Sequence, residues 1–168
     1  MNASLLGILE MHAAMRLTSY TDYALRALMH LARNRGSLIT IQDIADRHGI
    51  AKNHLSKVIH HMGVLGIVET VRGRNGGLRL AVEPENLRIG TLVRETEPDF
   101  FIAECFDKDH DACVYSGNCR LQQSLQQATG AFLAVLDEVT LEDVVTGKAP
   151  VPGMKRGAMQ SVPLKRSR

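Results

Sequence analysis

Three cysteines, Cys105, Cys113 and Cys119, fall within fifteen residues of a 168-residue chain that has no other thiol. Seven residues separate the first pair and five the second. Thiolates are soft ligands suited to zinc or iron–sulfur units, and an odd number of cysteines does not make a disulfide framework. The neighbours Glu104, Asp107, Asp109 and Asp111 are acidic, which raises a thiol pKa and argues against a reactive nucleophile. A bound cation reverses that argument because it stabilises thiolates directly. The spacing lacks the paired CxxC units of a zinc ribbon. Three thiols also leave one position of a closed site open, for a fourth ligand from His110, Asp22 or another subunit, or for a small molecule at an exposed iron. Asp22 lies in the first turn of a helix, where the dipole favours a carboxylate, and Arg26 four residues on can pair with it. Asn118 is expected to cap the next helix, with Cys119 in its first turn.

A second group of residues has the chemistry of base and phosphate recognition. Ala51, Lys52, Asn53, His54, Ser56 and Lys57 occupy the beginning of a short helix, the end from which recognition helices contact base edges. Asn pairs bidentately with adenine, and Lys reaches guanine or phosphate. Arg72 and Arg74 stand in the run Arg72-Gly73-Arg74-Asn75-Gly76-Gly77, a glycine-rich turn narrow enough to approach a minor groove, where arginine is attracted by the negative potential.

The elements that must position these groups are readable from periodicity. Tyr20, Tyr23, Ala24, Ala27, Leu28 and Leu31 mark one face of a helix that Ser19 is expected to cap. Thr40, with Asp43 three residues on, caps a second helix that Gly49 ends. A third runs from about Ala51 to Met62 with Leu55, Val58, Ile59 and Met62 inward. Two short helices joined at a glycine have the form of a helix-turn-helix. The runs 67–71 and 78–82 read as strands, with Asn-Gly and Gly-Gly supplying positive φ between them, so the hairpin is a wing. A short helix over 88–96 precedes an irregular acidic loop over 99–118. A long helix from Leu121 to about Val139 then carries Leu121, Leu125, Ala128, Phe132, Val135 and Val139 in a narrow stripe, the pattern of a helix that packs on a twin from a second subunit.

The fold class expected is therefore mainly α with a small β wing: a winged helix-turn-helix plus a long dimerisation helix. Residues 1–14 read as an N-terminal extension, 15–83 as the DNA-binding region, 84–146 as the cysteine loop and dimerisation helix, and 147–168 as a disordered basic tail. Formal net charge is only +2, yet residues 16–80 hold ten Lys/Arg against four Asp/Glu, residues 81–146 four against thirteen, and the tail six against none. No apolar run is long enough for a membrane span, and the N-terminus lacks a basic signal-peptide region, so a cytoplasmic location is expected. No paired catalytic carboxylates, P-loop or GxSxG elbow occur, and the chain does not read as an enzyme.

Met15 to Leu28, Asn53-His54-Leu55-Ser56-Lys57-Val58, the wing from Val71 to Leu80 and Arg94-Glu95-Thr96-Glu97-Pro98 resemble the nitric-oxide-sensitive repressors of the Rrf family of bacterial winged-helix regulators. The resemblance covers about Met15 to Val145. It implies a homodimer that binds a palindromic double-stranded DNA operator and carries an iron–sulfur cluster (2Fe-2S or 4Fe-4S) on Cys105, Cys113 and Cys119. In those repressors nitric oxide attacks the cluster and DNA is released. Some members take a fourth ligand from a first-helix aspartate of the partner subunit, a position that Asp22 matches. The family's iron–sulfur-assembly regulators instead have a histidine shortly after the third cysteine, where this chain has Leu121-Gln122-Gln123. The seven-residue gap after Cys105 is longer than the usual five. The resemblance leaves an assembly-type regulator as an alternative, and the residues alone also admit a zinc-stabilised DNA-binding protein without sensing and a thiol redox enzyme. The acidic loop argues against the last.

Overall fold

A computed structural model of the chain describes residues 16–107, 109, 113–115 and 117–147. The extension 1–14, His110, Asp111 and all of the tail beyond Gly147 lie outside the described residues. The elements run α1 Ser19–Arg33, α2 Ile41–His48, α3 Lys52–Val64, β1 Val68–Val71, β2 Gly77–Leu80, α4 Ile89–Thr96, α5 Arg120–Asp137 and α6 Leu141–Thr146, with single 3-10 turns at Pro84–Asn86 and Glu104–Phe106. This is the mainly helical fold with a two-stranded wing that the periodicity predicts.

The core forms where the apolar faces of α1, α2 and α3 meet. Ala24, Ala27 and Leu28 of α1, Ile44 of α2, and Leu55, Val58 and Met62 of α3 are all sealed from solvent. Alanines at the crossing let α3 approach α1 closely, and the leucines interlock around them. The same cluster continues through Leu78 of β2, Leu92 and Val93 of α4 and Leu141 of α6, so wing and C-terminal helices rest on one core.

Local signals set the element ends. Thr40 and Asp43 form the expected capping box on α2, and Gly49 closes that helix in the left-handed conformation at φ +64°. The cap of α1 is Thr18 rather than Ser19. Thr18 is extended and its hydroxyl accepts the Thr21 N–H, which leaves Ser19 inside the first turn. At α5 the capping position belongs to Cys119, one residue beyond the expected Asn118, and no side-chain hydrogen bond caps that end.

The wing corrects another expectation. Its strands pair antiparallel, with Val68 opposite Leu80 and Val71 opposite Gly77. Among the wing's glycines the positive φ is at Gly73, at +118°, and not at Gly76 or Gly77. Gly76 and Gly77 are needed for closeness instead. A Cβ on Gly76 would collide with the Val71 carbonyl oxygen, and one on Gly77 would sit 3.0 Å from the Leu38 Cβ. That close seat lets Leu78 exchange backbone hydrogen bonds with Ile39 at 2.8 and 3.1 Å, which fixes the wing to the segment before α2.

One hydrogen-bonded contact ties the wing-bearing head to the C-terminal body, and another holds that body together. Glu97, just past α4, accepts the Thr18 N–H at 2.8 Å and the Thr18 hydroxyl at 3.2 Å. Beside it the buried Thr21 hydroxyl donates to Thr96, whose hydroxyl donates to the Leu92 carbonyl. The start of α1 is thus tied to the end of α4. Further on, α5 rests on α4 through Arg94, which donates to both carboxylate oxygens of Asp137 at 2.5 and 2.6 Å. Gly90 of α4 permits this, because a Cβ there would run into the Asp137 carboxylate.

Arg94's hydrogen bonds hold the Asp137 carboxyl below its ordinary value, so this contribution to stability is present above the unfolded carboxylate pKa of about 3.9 and is lost as pH falls through the lower, folded value. Asp137→Asn is therefore expected to lower the unfolding midpoint at neutral pH. Its deficit relative to the parent should shrink below about pH 4, as read by thermal melts across a pH series.

Candidate nucleic-acid interface and metal centre

The reading surface is built on α3. Leu55, Val58, Ile59 and Met62 are buried against α1 and α2, which turns Ala51, Lys52, Asn53, His54 and Lys57 outward and exposed. Ser56 is half-buried and its hydroxyl donates to the Lys52 carbonyl at 2.9 Å, so it is engaged within the helix. Two aromatic residues of α1 hold α3 from behind. The Tyr20 hydroxyl and His61 Nδ1 share a 2.9 Å hydrogen bond, and the Tyr23 ring lies nearly parallel to the His54 ring, 20° between planes and 6.4 Å between centroids.

Arg72 and Arg74 project exposed from the wing tip and make no ion pair among the described residues. Arg79, on the exposed strand face, differs: Glu69 neutralises it at 2.9 Å. The structure therefore presents two exposed guanidinium groups on the wing and two exposed ammonium groups, Lys52 and Lys57, on α3, groups suited to the sugar–phosphate backbone and groove edges of a duplex.

The predicted metal ligands are placed less completely. Cys105, Cys113 and Cys119 are half-buried and none is in a disulfide. Gln122 of α5 reaches back and donates to the Cys105 carbonyl at 2.7 Å, fastening the loop to the long helix. Donor type fits a soft metal or a cluster: thiols, partly shielded from water, on one segment. Among the described residues, however, no three ligating side chains stand close enough together to hold a metal ion. Asp22 lies on α1 in a two-point ion pair with Arg26, at 3.0 and 2.9 Å, and is not gathered to the thiols of its own chain. Among the described residues, which do not include His110, no closed four-ligand set forms.

Of the expected stripe only Val139 packs on the core of its own chain, where it is joined by Leu133 and Leu136, two residues outside the stripe. Leu121, Phe132 and Val135 face solvent, at 66%, 45% and 45% exposure. Periodicity shows that an apolar stripe exists but not which part of it the chain itself covers.

Some contributors are not visible in sequence. Glu97 sits in an acidic run before Pro98, and only the fold brings it to Thr18. His30 and His48 meet across α1 and α2, Nδ1 to Nε2 at 3.3 Å. Burial, then the neighbouring His30, Arg26 and Arg47, push the His48 imidazole down, with Asp22 partly opposing them.

The sequence model of a known family, Rrf2, described as an iron-dependent transcriptional regulator, matches residues 17–147. The chain belongs to the Rrf2 family. Its sequence is 52% identical to the HTH-type transcriptional regulator NsrR of Bacillus subtilis strain 168 over 138 residues, which is 82% of this chain and 94% of the relative. It is 51% identical to the NsrR of Bacillus licheniformis over 132 residues, 78% of this chain and 92% of that one. Among solved structures, the fold is shared with T. potens IscR, at a TM-score of 0.65 and 23% identity over 86% of this chain and 95% of the other. It is also shared with CymR, the global cysteine regulator of B. subtilis, at 0.66 and 23% over 80% and 99%. This Rrf2-family chain is a DNA-binding transcriptional regulator and not an enzyme. No helix among its described residues is long and apolar enough to cross a membrane.

Lys57→Ala and Arg72→Ala are expected to weaken binding to all duplexes alike. Each should reduce the slope of log affinity against log salt by about one, measured by fluorescence anisotropy at several salt concentrations.

Proposed function

We propose that this regulator is a homodimeric repressor that releases a palindromic operator in response to nitric oxide. An iron–sulfur cluster would be held by Cys105, Cys113 and Cys119, with Asp22 of the partner subunit as the fourth ligand. The observation that carries this reading is the set of three half-buried thiols outside any disulfide, on the loop that leads into α5. The high identity to NsrR regulators supports it. A bound cluster supplies iron that reacts with nitric oxide, and the chain's own residues carry that event to the reading helices.

Leu121, Phe132 and Val135 are an apolar surface that a second copy of α5 would cover. A twofold dimer brings one subunit's first helix near the other's cysteine loop, which is how a set that one chain leaves incomplete would be closed. Asp22 then chooses between two partners: Arg26 of its own helix, as in this structure, or the neighbouring subunit's site. Because α1 carries Asp22 and also supports α3, that choice bears on the spacing of two recognition helices. Half-sites stand one helical turn, about 34–36 Å, apart, so a small displacement of α1 is enough to spoil simultaneous engagement of both.

Protein purified without oxygen is expected to absorb in the visible and to bind DNA selected from a random pool. Nitric oxide should bleach the absorption and release the DNA together. Cys113→Ala should lose both the colour and the response, and Asp22→Ala should alter the visible spectrum. A colourless zinc protein, or a Cys113→Ala variant that binds as tightly as the loaded parent and ignores nitric oxide, would contradict the proposal.

A further inference from the structure

Tyr23 has no part in the cysteine chemistry, yet its ring lies nearly parallel to and alongside that of His54, the most N-terminal aromatic residue on the recognition helix. The two planes are 20° apart with centroids 6.4 Å apart, inside the range of offset stacking. Tyr23 is half-buried while His54 is exposed, so the tyrosine is anchored and the imidazole faces outward. Neither ring nitrogen of His54 has a hydrogen-bond partner among the described residues, whereas His61 on the same helix is committed to the Tyr20 hydroxyl at 2.9 Å. The two tyrosine–histidine pairs therefore differ in kind. Tyr20 uses up its histidine's Nδ1 and fastens the far end of α3. Tyr23 fixes its histidine by the ring face and leaves both nitrogens available. A shallow groove lined by Ser19, Tyr20, Tyr23, His54 and Lys57 lies beside the pair, with only Lys57 charged.

We propose that Tyr23 is a specificity-determining positioning residue: its ring orders the His54 side chain so that the imidazole reads a base edge. This inference rests on α3 being the helix that reads DNA. An imidazole offers a donor and an acceptor, and the major-groove edges of guanine and adenine offer acceptors that such a donor can meet. A surface histidine samples several rotamers, and ordering it on binding lowers affinity. A stacked ring removes that cost beforehand. The gain appears only where the ordered imidazole finds its base, so it raises discrimination rather than general affinity. Tyr23 adjoins Asp22 on α1, which places this device on the helix that also carries the proposed ligand.

The test is a double-mutant cycle on the full-length protein. Binding is measured to a duplex selected by the protein from a random pool and to a scrambled duplex of equal length. Tyr23→Leu keeps apolar volume without the flat ring. It is expected to lower the ratio of the two affinities about three- to tenfold, the size of an aromatic pair's contribution, while scrambled-duplex affinity and salt slope stay unchanged. Tyr23→Phe should keep the ratio. In a His54→Ala background, Tyr23→Leu should cost nothing further. The inference is overturned if the loss persists without His54, or if both duplexes weaken together, which would make Tyr23 a backbone contact or a purely structural support. Failure of the underlying reading looks different: the parent would show no preference for the selected duplex, or Asn53→Ala and His54→Ala would leave that preference intact. Thermal melts of each variant identify any that is unfolded, and Tyr23→Phe, which preserves the ring, still decides the case.

Discussion

The close crossing of α1 and α3 is the constraint on which the rest depends. Ala24, Ala27 and Leu28 of α1 and Leu55 of α3 are fully buried in the core these helices share. Small residues let the two backbones approach, and interdigitated leucines make the arrangement stiff. Helix α1 also rests on α2, β2, α4 and α6. One helix therefore sets the pose of the recognition helix, supports the wing and receives the end of α4 through Thr18 and Glu97. A change at either end of α1 moves a packed unit rather than a flexible segment, since such cores shift between discrete arrangements.

Charge follows the same division. Residues 16–80 carry the excess of Lys and Arg, and residues 81–146 the excess of Asp and Glu. Where the two parts meet, Arg35 of the head lies 3.3 to 3.8 Å from carboxylates of Glu83, Glu85 and Glu142. Each such exposed pair contributes little alone. They are grouped on one cation, while Lys52, Lys57, Arg72 and Arg74 are exposed and make no ion pair among the described residues. The near-zero total charge conceals a basic segment followed by an acidic one.

Much of this was legible in the residues because it depends on local chemistry. Periodicity marked helices α1 to α5, the Thr40 cap and Gly49 marked the ends of α2, and Leu55, Val58, Ile59 and Met62 identified the buried side of α3 and so its outward one. What stayed hidden depends on long-range closeness. Gly76 and Gly77 were expected to supply positive φ, but Gly73 does so, and the other two are small because Val71, Leu38 and Ile39 press on them. The link from Glu97 to Thr18 spans seventy-nine positions, and no spacing rule reaches that far. The stacking of Tyr23 on His54 likewise needs the crossing of two helices. The fourth ligand proposed here is harder still, because among the described residues Asp22 and the thiols are not gathered into one site.

The proposed function turns on this point, with three thiols of one chain completed by a residue of a second. Native mass spectrometry of anaerobically purified protein tests it most directly. The account predicts a dimer whose mass exceeds twice the chain by one iron–sulfur cluster per subunit, with Asp22→Ala retaining the dimer but holding the cluster less firmly. A monomer carrying an intact cluster, or a dimer carrying zinc or no metal at all, would contradict it.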